Sequence, residues 1–276
     1  MTPFSKYEAA GNDFIMIDKR DVPAESVASV LNPIQNCAAQ WCDRHFGIGA
    51  DGILVMTQPG IAHPECHAAM HVINADGSIA AMCGNGIRCA ARWLYEHTPG
   101  LKIETPLPID TLGGTQIVRC LSSKSDNWLL EVAMAKAVLT DVCRIEQNHD
   151  VWLGQCVDVG NPHAVFEVDN NPREALQKAG SFLSHHPTFP DRCNIEFIQE
   201  IAPCVLKMTV YERGVGPTLA CGTGCVASAV AYANTHGITQ GRIELNPPGG
   251  QIFVVIQKNA SPLLQGPARH VFDGMI

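Results

Sequence analysis

Met82-Cys83-Gly84-Asn85-Gly86-Ile87-Arg88-Cys89-Ala90-Ala91 and Ala220-Cys221-Gly222-Thr223-Gly224-Cys225-Val226-Ala227-Ser228-Ala229 are two versions of one pattern. Each reads Cys-Gly-(Asn or Thr)-Gly and runs into an alanine-rich stretch that favours helix. Each follows an alternating run that ends in a glycine turn: Met70–Asn74 before Ala75-Asp76-Gly77, and Lys207–Tyr211 before Glu212-Arg213-Gly214. Further upstream, Gly11-Asn12-Asp13-Phe14-Ile15-Met16-Ile17 is matched by Gly160-Asn161-Pro162-His163-Ala164-Val165-Phe166. Between opener and Cys-Gly box lie a β-rich run, Gly52–Met56 or Asn194–Gln199, and room for a helix, Ala24–His45 or Pro172–Leu183.

Two copies, each over a hundred residues long, point to a duplicated domain and not to a solenoid. The expected fold class is α+β, with two pseudo-symmetric domains from an internal duplication. Leu121–Asn127, with Ser122, Ser123, Ser125, Asp126 and Asn127, is the expected crossover between the halves. Two such domains would face each other across a cleft, the usual place for a small-molecule site.

Composition narrows the function. The chain has 276 residues, and its 46% hydrophobic content excludes a mostly disordered protein. A formal charge of -8 disfavours nucleic acid as a partner. The N-terminus lacks the basic-then-apolar layout of a signal peptide, and no apolar run is long enough to span a bilayer. The expected location is cytoplasmic, without a membrane partner. Twelve cysteines in a reducing compartment are then unlikely disulfides, and no Cys-x-x-Cys pair suggests zinc. His63, Cys66, His67 and His71 are too irregularly spaced for a metal site, and no metal is expected. Most of the cysteines are expected to be small buried apolar residues.

Cys83 and Cys221 are the exceptions. A cysteine at a helix N-terminus sits beside unpaired N–H groups and the positive end of the helix dipole. That setting is expected to lower a thiol from about 8.5 toward neutrality. The following glycines let a ligand approach the backbone, and the N–H groups suit a carboxylate. Two such cysteines on opposite faces of a substrate α-carbon would act as base and acid, and the product is the inverted centre. No lysine motif suggests pyridoxal phosphate, so no cofactor is expected; the helix ends themselves would stabilise the developing enolate-like charge.

These motifs resemble the diaminopimelate epimerase family over nearly the whole chain. The resemblance rests on Gly11-Asn12-Asp13-Phe14, Asn74-Ala75-Asp76-Gly77-Ser78, the two Cys-Gly boxes, Gly160-Asn161-Pro162-His163, Glu212-Arg213-Gly214, and the tail Gly266-Pro267-Ala268 with Val271-Phe272-Asp273-Gly274. It implies domains that each wrap a β-sheet or barrel around a central helix, with the active site in the cleft between them. It implies interconversion of L,L- and meso-2,6-diaminoheptanedioate, a precursor of lysine and peptidoglycan, with Cys83 and Cys221 as the proton-transfer pair. Backbone N–H groups of Gly84, Asn85, Gly222 and Thr223 would hold the reacting carboxylate, with Glu212 and His163 near the reacting ammonium. Asn12, Asn74, Asn161, Asn194 and Arg213 would bind the rest of the substrate; an arginine suits the distal carboxylate because the pairing is bidentate.

The expected domains are residues 1–121 with 265–276, carrying Cys83, and 122–264, carrying Cys221. A homodimer is left open. Three features depart from the family's pattern: Gly52 stands where many members have Gln, Ala9-Ala10 replaces a more glycine-rich lead, and Cys225 follows the second box. Competing readings are a racemase of the same architecture for glutamate, histidine or proline, a Cys/His hydrolase or transferase using His163, and a non-catalytic amino-acid-binding protein. The hydrolase leaves one Cys-Gly box unexplained, and the binding protein needs neither thiol.

Overall fold

Glycine turns and apolar alternation build the same sequence of elements twice. The computed structural model describes every residue except Ser125, and every side chain besides except those of Ala24 and Asn127. Two units emerge: Met1–Val132 with Gly266–Ile276, and Ala133–Gln265.

In the first unit, β1 (Pro3–Ala9) turns through Ala10 and Gly11, both at positive φ, into antiparallel β2 (Asn12–Lys19). A short 3-10 turn leads to α1 (Val27–Cys42), which crosses to β3 (Gly52–Thr57), parallel to β2 with Phe14 opposite Gly52. Every residue of β3 is buried, as its unbroken apolar run requires of a central strand. Antiparallel β4 (Ala69–Asn74) and short β5 (Ile79–Ala80) follow, then α2 (Gly84–His97). The unit continues through β6 (Leu107–Ile109), β7 (Gln116–Lys124) and β8 (Asn127–Ala133).

The second unit starts with the hairpin β9 (Val138–Gln147) and β10 (Asp150–Asp158), and β10 turns at Gly160 into β11 (Pro162–Glu167). Helix α3 (Pro172–Ser184) starts on an Asn171 cap bonded to the Arg173 N–H, with Pro172 in the first turn, where its missing N–H costs nothing. It crosses to β12 (Asn194–Ala202), parallel to β11 with His163 opposite Asn194. Antiparallel β13 (Val205–Glu212) and short β14 (Gly216–Thr218) precede α4 (Gly222–Thr235), and β15 (Gly241–Asn246) and β16 (Ile252–Ile256) complete the unit. The last strand, β17 (Leu263–Met275), pairs with β16 through Leu263–Gln265 and with β1 from Arg269 onward.

The α+β duplication is therefore a property of the fold as well as of the sequence. In each unit the second helix is the central one. Helix α2 packs against β1–β4 and β7, and α4 against β10, β11, β12, β15 and β16. Residues 85–95 of α2 form one uninterrupted buried run, as expected of a helix covered on all sides. The crossover helices complete outer cores: Leu31, Ile34 and Ala38 against Ile15, Ile53 and Val55, and Ala179 and Leu183 against Phe166, Ile195 and Phe197. Each large aliphatic side chain buried there contributes about 1.5–3 kcal/mol.

One boundary moves. The expected break at 121/122 falls inside β7, and the units divide after Val132. Of the expected crossover Leu121–Asn127, Ser125 lies outside the described residues; Leu121–Lys124 belong to β7, which pairs with β8 in register from Lys124 opposite Asn127. Short polar residues suit a hairpin as well as a linker, and Lys124 and Asn127 pair as cross-strand neighbours.

Candidate active site

Cys83 caps α2 and Cys221 caps α4, both with extended backbone (φ -138° and -120°). The Gly86 N–H donates to Cys83 Sγ at 3.3 Å and the Gly224 N–H to Cys221 Sγ at 3.4 Å, so each sulfur takes the place of a serine or aspartate cap oxygen. The first helical bonds run from Ile87 N–H to Cys83 O and from Cys225 N–H to Cys221 O. The N–H groups of Gly84, Asn85, Gly222 and Thr223 thus lie outside the helical ladder, at the positive end of each dipole. The partner residues differ in the two units.

In the first unit, Cys83 Sγ donates to Asn12 Oδ1 at 3.8 Å, and Asn85 Nδ2 donates to the same oxygen at 3.3 Å. Asn12 Nδ2 is held at 2.8 Å by Asp51, which also takes a bond from Arg44. Arg44 and Lys6 both pair with Asp13; although burial pushes the other way, they hold its carboxyl down at about 2. Arg88 is wholly buried and donates to Gly84 O, Asn85 Oδ1 and Pro267 O. A donor-only guanidinium at one end and an acceptor-only carboxylate at the other fix both asparagine orientations, and an oxygen faces Cys83. Asn74 ends β4, exposed, and donates to Ser78 Oγ. At Gly52 a Cβ would lie 2.7 Å from the Ile73 carbonyl oxygen, so β3 and β4 close where this chain has no side chain.

In the second unit, His163 is buried between Glu196 Oε1, 2.7 Å from Nδ1, and Asn161 Oδ1, 3.0 Å from Nε2. Glu212, at the end of β13, accepts from the Thr218 hydroxyl and lies within reach of the Cys221 thiol. Burial pushes the Glu212 carboxyl above the usual carboxylate range. The Cys221 thiol is pushed well above its ordinary value, first by burial and then by the charges of Glu212 and Glu196; its bonds with Thr223 and Gly224 oppose this and lose. The helix end alone predicted the reverse for this thiol, and desolvation beside two carboxylates overrides it. Asn194 Oδ1 accepts from the Arg213 N–H at 2.8 Å while Nδ2 donates to Pro162 O, so this side chain braces the ends of β11 and β13. The Arg213 guanidinium is exposed, with one bond to Asp191 O.

Of the expected site residues, Asn12 and Asn85 bond about Cys83 and Glu212 and Thr223 lie against Cys221; His163 and Asn161 join the second group through Glu196, while Asn74, Asn194 and Arg213 bond elsewhere in their units. Sequence reasoning missed Arg88 and Glu196. The available signal was a lone charge in an otherwise apolar buried segment: Glu196 interrupts Ile195-Glu196-Phe197-Ile198, all buried. Cys89 and Cys225 are fully buried on the packing side of their helices, as expected. His71 bonds Thr57, while His63 and Cys66 both bond Thr115.

Comparison with known proteins gives the family. Residues 4–140 and 155–271 match the family described as Diaminopimelate epimerase. The chain is 38% identical over 284 residues to the diaminopimelate epimerase of Gloeothece citriformis (strain PCC 7424), covering 99% of this chain and 98% of that one. It is 35% identical to that of Pelotomaculum thermopropionicum, with 98% and 97% covered. Solved structures of like fold include a phenazine biosynthesis protein of the PhzF family from Bacillus anthracis (TM-score 0.76, 14% identity, 100% and 99% covered). A hydroxyproline epimerase from Agrobacterium vitis with bound trans-4-OH-L-proline gives a TM-score of 0.72 at 15% identity, with 99% and 91% covered. These last two share the fold; the full-length matches at 35–38% identity carry more, and by them the chain belongs to the diaminopimelate epimerase family.

Proposed function

We propose that this enzyme epimerises L,L-2,6-diaminoheptanedioate to the meso form, with Cys83 and Cys221 exchanging the α-proton on opposite faces of the carbon. The observation that carries the reading is the repeated cap: two cysteines, each the N-cap of a central helix, each with a sulfur bonded by a first-turn glycine N–H. One thiolate removes the α-proton; the other thiol delivers its own to the far side. The mechanism requires both sulfurs to reach one α-carbon.

The reacting carboxylate becomes an enediolate as the proton leaves. N–H groups of Gly84, Asn85, Gly222 and Thr223 are the donors suited to that charge, and loss of one such donor costs about 3 kcal/mol of transition-state stabilisation in other enzymes. Because these dipoles serve as the electron sink, the reading calls for no pyridoxal phosphate. Glu212, within reach of the Cys221 thiol, and His163, bonded to Glu196, suit the reacting ammonium. Asn12, Asn74, Asn161, Asn194 and Arg213 are assigned to the remaining polar groups, the exposed Arg213 guanidinium to the distal carboxylate.

A cytoplasmic location belongs to the same proposal, supported by twelve cysteines, whose chemistry suits a reducing compartment. Among the described residues no helix is long and apolar enough to cross a membrane. A homodimer is supported by Val271, Phe272 and Met275, exposed along one strand, and sedimentation measures it.

Incubation with L,L-diaminopimelate in D₂O, without added cofactor, tests the reaction. Isomerisation with deuterium at the inverted centre is expected. Neither isomerisation nor exchange would overturn the reading, and turnover of proline or glutamate instead would move it to another substrate.

A further inference from the structure

Corresponding positions in the two units can be compared directly. Phe14 pairs with Gly52 as His163 pairs with Asn194, so two residues further along β3 and β12 Leu54 corresponds to Glu196. Both side chains lie against the first turn of the central helix. A Cβ on Gly86 would lie 3.1 Å from Leu54 Cδ2, and one on Gly224 would lie 2.7 Å from Glu196 Oε1. One unit presents an aliphatic chain there; the other presents a carboxylate with no exposed surface.

Burying that carboxylate is costly without compensation. Oε1 is bonded by His163 Nδ1, while Oε2 is buried with no hydrogen-bond partner among the described residues. Such a half-satisfied charge under a helix that begins with a proposed catalytic thiol is a feature that packing alone would replace with leucine, as at Leu54.

We propose that Glu196 is a positioning residue of the second unit, which orients His163 by its Nδ1 and places a buried negative charge beneath Cys221 that keeps this thiol protonated between turnovers. This rests on the reading of Cys221 as a proton-transfer residue. The groups facing the carboxylate are His163 from β11, Cys193 just before β12, Glu212 from β13 and Gly224 of α4. Those facing Cys221 are Glu212, Glu196 and Thr223, and burial of the thiol beside the two carboxylates acts in the same direction. Cys83 has Leu54 and Asn12 in the comparable places. The two thiols are thereby made unlike, and the second unit holds the proton that is delivered.

The test is the pH dependence of alkylation by iodoacetamide, read at Cys221 and Cys83 separately by peptide mass spectrometry, in the wild type, Glu196→Gln and Glu196→Leu. Gln keeps an acceptor for His163 and removes the charge; Leu copies the other unit and removes both. The Cys221 midpoint is expected to fall by about one pH unit in both variants, the scale of one close charge, with Cys83 unmoved. With diaminopimelate, kcat is expected to fall about tenfold in Glu196→Gln and further in Glu196→Leu, with KM changed less than about threefold. An unmoved Cys221 midpoint, or an equal shift at Cys83, would overturn the proposal. Alkylation needs no substrate, so failure of the diaminopimelate reading is seen separately, as lack of turnover by the wild type.

Discussion

Phe14 and His163 hold the same register position in the two units, each opposite the first residue of the parallel neighbour strand, Gly52 or Asn194. The duplication has kept the strand–helix–strand frame and the capping cysteine while changing what surrounds the sulfur. The first unit sets asparagines and a buried arginine about Cys83; the second sets Glu196 and Glu212 about Cys221, with His163 bonded to Glu196.

Arg88 is predicted to be the costliest single residue of the first unit. Arg88→Met removes the guanidinium bonds to the Gly84 and Pro267 carbonyls and to the Asn85 amide oxygen. Urea unfolding should show a loss of about 3–5 kcal/mol, the scale for breaking a buried charged network. A loss below 1 kcal/mol would show that the network is dispensable.

The two glycines of the helix starts should respond differently to alanine. At Gly86 the new methyl meets the end of a flexible leucine at 3.1 Å; at Gly224 it meets a buried carboxylate oxygen at 2.7 Å. Gly86→Ala should change stability by less than about 1 kcal/mol, helix propensity offsetting the crowding. Gly224→Ala should cost about 1–3 kcal/mol as an overpacked site and lower kcat by displacing Glu196. Equal effects at both would contradict this account of α4.

Acid should weaken the first unit through Asp13. Its carboxyl is held at about 2 against an ordinary 3.8, so between these values the unfolded chain binds more protons than the native one. The contribution, about 1–2 kcal/mol after allowance for solvent screening, is complete above pH 3.8 and is lost as pH falls through 2. The stability gap between wild type and Asp13→Asn, measured by urea midpoints, should be full at pH 6 and nearly closed at pH 2.

Alkali should act through the buried thiols. Burial pushes Cys42 up to about 11 from an ordinary 9.0, and Cys89 and Cys193 are raised by burial too. Above pH 9 the unfolded chain has released protons that the native protein keeps, so stability falls as pH rises toward 11. Cys42→Ala should lose less stability than the wild type between pH 8 and 10.5; an identical decline would contradict the assignment.

The frame was legible because its signals are local and repeated. Cys-Gly-x-Gly fixes a helix start, Gly11 and Gly160 fix turns at positive φ, and the unbroken apolar run of β3 fixes a central strand. Leu121–Asn127 misled because serine and asparagine serve a hairpin turn as well as a crossover. The raised Cys221 thiol was illegible for a different reason. Glu196 and Glu212 approach it from β12 and β13, so its surroundings are set by strand pairing across separations that no spacing rule captures. Arg88 was hidden likewise, since one of its acceptors, Pro267, is 179 residues away.

The central claim, that Cys83 and Cys221 are the two ends of one proton transfer, is tested most directly by kcat of Cys83→Ala and Cys221→Ala with L,L-diaminopimelate. Each single variant is predicted to lose inversion by about a thousandfold or more, and the double variant to be no worse than either, because residues that act as a unit do not add. Wild-type kcat in either single variant would contradict the claim.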